Sequence, residues 1–81
     1  MRLQELPNIS SSFDKLKIII DLQNRADTNT MLGHSIVNAI KNKRPNDQII
    51  KWVQECIMDN RRAVCLVIGE ELVERIENFK L

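Results

Sequence analysis

The stretch Ala63-Val64-Cys65-Leu66-Val67-Ile68, followed by Gly69, decides the fold class. Its β-branched content suits a buried strand ended by the glycine, but its length fits a piece of helix equally well. A lone strand must find a partner for its backbone, and no other segment of the chain has strand periodicity. Carried across Gly69, the residues Cys65, Ile68, Leu72, Ile76 and Phe79 recur at helical spacing. The reading is one helix over residues 61–79, apolar nearly all round in its first half and so central in a bundle or buried against a second copy. The six-residue apolar run is also far shorter than the ~20 residues that span a membrane.

Upstream of this helix the pattern is amphipathic throughout. Residues 46–59 form the cleanest segment, with Ile49, Trp52, Val53, Cys56 and Ile57 on one side and Asp47, Gln48, Lys51, Gln54 and Glu55 on the other. Asp59-Asn60 marks its end, since asparagine tolerates the left-handed conformation that stops helices. Pro45 separates it from a helix over residues 31–43, because proline disfavours helical geometry at Arg44 and lacks an amide of its own. In that helix Leu32, Ile36, Ala39 and Ile40 form the stripe, Val37 lies beside it, and Gly33 reads as a packing glycine in the first turn. The cluster Asp27-Thr28-Asn29-Thr30 precedes it with side chains that bond their own backbone and cap helices.

A first helix is expected over residues 12–24, started by Ser11 or Ser12, with Asp14 suited to its positive end. Phe13, Leu16, Ile19, Ile20 and Leu22 make its stripe, and Ile18 falls outside it, which suggests either a wide buried face or a contact with something else. Residues 1–11, with Pro7 and the Ser10-Ser11-Ser12 run, read as an irregular arm anchored by Leu3, Leu6 and Ile9. The expected fold is all-α: a small bundle of about four helices with an N-terminal arm, residues 1–81 forming a single domain. A chain of this size buries only roughly 60–65% of its unfolded surface, so self-association or a partner is expected to stabilise it. With 43% hydrophobic and 28% charged residues, it has too much apolar content for outright disorder.

The opening residues lack the apolar core and cleavage site of a secretory signal, which makes the cytoplasm the expected compartment. There Cys56 and Cys65 are expected to stay reduced, as small buried hydrophobes. The only histidine, His34, lies far from both in sequence and is expected on the surface. No nucleophile, base and orienting group are set out together, no short-spaced ligand set suggests a metal, and no glycine-rich loop suggests a phosphate. The expectation is a protein without enzymatic activity and without cofactor.

Two binding readings remain. Helix-turn-helix proportions across residues 31–59, with Lys41, Lys43, Arg44, Lys51, Arg61 and Arg62, offer a DNA-binding alternative. Against it, Asp47, Glu55 and Asp59 share the would-be recognition helix with Lys51, and the formal net charge is only +1. The preferred reading is a regulator that binds a protein partner through the last two helices, with Trp52, Met58, Leu66 and Leu72 as apolar contacts and Glu70 and Glu74 from the acidic face. Phe13, Met31 and Phe79 are further large apolar residues that serve either the core or such a surface.

A tiny chain rich in Ile, Asn and Lys, with helix punctuation such as Asn42-Lys43-Arg44-Pro45-Asn46 and a helix face such as Leu72-Val73-Glu74-Arg75-Ile76, resembles the small accessory regulators of T-even bacteriophages. The resemblance is one of size and composition over the whole chain, and within that group it points to lysis-inhibition accessory proteins. It implies binding to the cytoplasmic part of a holin and a delay of lysis, and it assigns no role to any residue.

Overall fold

The computed structural model describes residues 12–81, which form four helices: α1 (Ser12–Arg25), α2 (Met31–Lys41), α3 (Asn46–Ile68) and α4 (Glu70–Glu77). The expected arm, with its anchors Leu3, Leu6 and Ile9 and the capping Ser11, lies outside the described residues. Residues 63–68 are helical, and no strand occurs among the described residues. The core is aliphatic, built from Ile18, Ile19 and Leu22 of α1, Ile36 of α2, the inner face of α3, and Leu72, Val73 and Ile76 of α4. Trp52 and Phe79 pack at its edge.

The turn between α1 and α2 is built by the polar cluster. Asp27 Oδ1 accepts the Asn29 amide at 3.0 Å, and Thr30 Oγ1 donates to the Asp27 carbonyl at 2.6 Å. Thr30 Oγ1 also accepts the Gly33 amide at 2.9 Å, capping α2. A side chain at Gly33 would collide with the Asp27 carbonyl, so the glycine is required for close approach. The Asp27 amide in turn donates to the Val67 carbonyl at 3.1 Å, which ties this turn to the far end of α3.

Helix α2 ends at Lys41, earlier than expected. The Lys43 amide donates to the Ile40 carbonyl and the Arg44 amide to the Ala39 carbonyl, the paired bonds of a Schellman closure. That closure places Lys43 at φ 58°, a left-handed conformation that favours glycine.

Two breaks reshape the second half of the chain. Asn60 lies where a boundary was expected, but its φ of −155° is extended rather than left-handed. It acts as a new cap, its Oδ1 accepting the Ala63 amide at 3.1 Å, so α3 kinks and continues. Gly69, expected inside a continuous helix over residues 61–79, interrupts it with φ 92°, a conformation open to glycine. The helical spacing survives the interruption, and Ile68, Leu72 and Ile76 are all buried.

Helix α4 is fixed against α3 by long-range polar contacts. Gln54 Nε2 donates to the carbonyls of Ile76 and Phe79, both at 2.9 Å, satisfying backbone acceptors at the end of α4. Arg61 Nε donates to both Glu77 carboxylate oxygens, at 3.2 and 3.1 Å, and Nη2 donates to Oε1 at 2.8 Å. Helix α1 carries ion pairs to the rest of the bundle, Lys15 to Asp47 at 2.9 Å, Asp21 to Arg75 at 2.7 Å and Arg25 to Glu71 at 3.6 Å.

Candidate protein-binding surface

The face of α1 that meets the core differs from expectation. Ile18, read as lying outside the stripe, is buried beside Ile19 and Leu22, while Phe13, Leu16 and Ile20 are 71%, 47% and 47% exposed. At about 100° per residue, positions 18, 19 and 22 cluster on one side of a helix and positions 13, 16 and 20 on nearly the opposite side. Helix α1 is thus apolar on two faces. Lys15 and Asp21 form ion pairs with Asp47 of α3 and Arg75 of α4, which accompany the inward placement of Ile18. Phe13, Leu16 and Ile20 are left as an exposed apolar ridge, and sequence reasoning missed it as a surface. The spare Ile18 was the signal that could have found it, because a helix with one apolar residue too many for its stripe has a second face.

The expected contact residues divide. Met58 and Leu66 are 87% and 78% exposed on either side of the Asn60 kink, and Glu70 and Glu74 are exposed on α4. Leu72, expected as a partner contact, is completely buried and belongs to the core, because it lies on the same helical stripe as the buried Ile68 and Ile76. Trp52 is half-buried. Phe13 and Met31 are exposed.

No protein-family model, curated protein or solved structure matches this chain.

The cations of the DNA-binding alternative also divide. Lys41, Lys43, Arg44, Lys51 and Arg62 are exposed, while Arg61 is committed to Glu77, lies 4.0 Å from Glu70 and donates to Cys65 Sγ at 3.8 Å. The first half of α3 exposes Asp47, Glu55 and Asp59 beside Lys51, an unfavourable surface for a phosphate-lined groove. The Arg61 hydrogen bond holds the Glu77 carboxyl below the usual carboxylate range, with the guanidinium charge adding and partial desolvation opposing.

Cys56 and Cys65 are both free and half-buried. Burial pushes the Cys56 thiol up from its ordinary value, and the Asp59 and Glu55 carboxylates push it further, so the thiolate needed for nucleophilic chemistry is disfavoured there. His34 is exposed, with Nε2 3.5 Å from Asn38 Nδ2. Among the described residues no three His, Cys, Asp or Glu side chains are gathered to hold a metal ion, and no helix is long and apolar enough to cross a membrane.

Proposed function

We propose that this protein is a non-enzymatic regulator that acts by binding another protein, with the outer ridge of α1 as the primary contact. The observation that carries the reading is the exposure of Phe13, Leu16 and Ile20 on the face of α1 turned away from Ile18 and Leu22. A large aromatic and two aliphatic side chains in helical register are the anchors by which one helix packs against a partner's helix or groove. Met58 and Leu66 supply a second exposed apolar pair on α3. Such a protein regulates by occluding or stabilising one state of its partner, which requires different affinities for that partner's states. The resemblance to phage lysis-inhibition accessory proteins supports one partner class, the cytoplasmic part of a holin.

The test is affinity capture of the tagged chain from its native cells after nuclease treatment, beside an Ile20→Asp variant whose helicity and unfolding midpoint match the parent. A stoichiometric protein held by the parent at high salt and released by the variant is the expected result. Equal retention by both chains, or recovery of nucleic acid alone, overturns the reading.

A further inference from the structure

The corner where α2 hands over to α3 concentrates positive charge. Lys41, Lys43, Arg44 and Lys51 are exposed there, and among the described residues none of the four takes part in an ion pair. The one carboxylate between them in sequence, Asp47, is held by Lys15 at 2.9 Å and so leaves the local excess uncancelled. A lysine also occupies the left-handed position of the Schellman turn, where glycine would sit without strain.

Beside these cations a groove of about 320 Å³ opens between the two helices, lined by Ala39, Ile49 and Trp52 with Arg44 and Gln48. Trp52 and Arg44 also line an adjoining hollow with Ser35, Asn38 and Asn42. An apolar floor with the Arg44 guanidinium at its edge, and with the exposed Lys43 and Lys51 next in sequence to its lining residues Arg44 and Trp52, matches an apolar side chain flanked by carboxylates. A guanidinium offers a forked donor that fits a carboxylate, and the surrounding lysines steer an acidic ligand toward it.

We infer that the α2–α3 corner is a docking groove for an acidic peptide segment of a partner protein. The segment seats one leucine- or phenylalanine-sized side chain against Trp52 and sets its Asp or Glu neighbours against Lys43, Arg44 and Lys51. A short acidic segment fits better than a nucleic acid, because a continuous phosphate backbone running along α3 past Lys51 would meet Glu55 and Asp59. The inference stands apart from the α1 ridge, so failure of one leaves the other intact.

Trp52 is the chain's single tryptophan and there is no tyrosine, so intrinsic emission reports on this groove directly. The experiment selects a displayed library of random short peptides on the full chain, counter-selects on the Lys43→Glu/Arg44→Glu variant, and titrates the enriched peptides by Trp52 emission. Enriched sequences are expected to place at least two carboxylates beside one large apolar residue, and to blue-shift the emission saturably. The double variant is expected to weaken their binding at least about tenfold, as is high salt. Lys43→Gly, which removes the charge while relaxing the turn, is expected to weaken binding without loss of helicity. Basic or uncharged winners, no enrichment, or binding indifferent to the double variant overturns the proposal. Tighter binding of an oligonucleotide through the same four cations reassigns the corner to nucleic acid, and a concentration-dependent emission shift without peptide reassigns it to a second copy.

Discussion

The side-chain amide of Gln54 on α3 reaches the backbone carbonyl of Ile76 on α4 at 2.9 Å and, with its second hydrogen, the carbonyl of Phe79. One side chain thereby supplies a donor to the Phe79 carbonyl and a second donor to the Ile76 carbonyl, which also accepts the Phe79 amide at 3.1 Å. Replacing Gln54 by Ala is expected to destabilise the chain by about 1–3 kcal/mol, because in a partly buried place the Phe79 carbonyl loses its donor and the Ile76 carbonyl one of two. Gln54→Glu is expected to cost more, since it sets an acceptor against acceptors. Urea unfolding followed by circular dichroism checks both, and an unchanged midpoint in either variant counts against the role given to Gln54.

The two faces of α1 make opposite predictions for the same substitution. Ile18→Ala is expected to lose about 2–5 kcal/mol, the usual range for truncating a buried isoleucine. Ile20→Ala, on the exposed ridge, is expected to stay within about 0.5 kcal/mol of the parent. Equal losses at both positions would mean that the ridge is covered in the free protein.

The Arg61–Glu77 contact gives a pH dependence with a definite sign. Glu77 has a lower pKa in the folded chain than in the unfolded one, so its contribution is present above the ordinary glutamate value and fades as pH falls through the folded value. Glu77→Gln is expected to lower the urea midpoint at neutral pH, and the gap to the parent is expected to close as the solution is acidified below roughly pH 4. A gap of constant size across the titration would assign the loss to packing instead of charge.

Lys43 occupies a backbone position made for glycine, and the substitution Lys43→Gly is expected to raise stability by about 0.5–1 kcal/mol, relief of the left-handed strain outweighing the added chain entropy of glycine. Lys43→Ala keeps the strain and is expected to give no such gain. Thermal unfolding of the two variants side by side distinguishes backbone relief from mere loss of charge.

Helix content was legible because apolar spacing is a local property, and the period through Ile49, Val53 and Ile57 needs no tertiary information. The punctuation at Thr30, Pro45 and Asn60 was legible for the same reason, although Asn60 restarts a helix by capping where a left-handed stop was read. The break at Gly69 was hidden by the very signal that located its neighbours, since Ile68, Leu72 and Ile76 keep helical spacing through an interruption. The orientation of α1 could not be read from periodicity, because both of its faces are apolar and its ion-pair partners, Asp47 and Arg75, are distant in the chain. Leu72 was misplaced for the related reason that an apolar residue between glutamates looks the same on an exposed face and on a buried one. The clustering of Lys41, Lys43, Arg44 and Lys51 was visible, while the groove beside them depends on how α2 and α3 meet.

The amide of Asp27 donates to the carbonyl of Val67 in the last turn before Gly69, and the carbonyl of Asp27 packs against Gly33. Asp27 therefore meets Gly33 through its carbonyl and Val67, two residues before Gly69, through its amide. The Asp27 amide sits in a polar turn, yet its deuterium uptake should be as slow as that of the core helices, because releasing it requires the α1–α2 turn to leave α3.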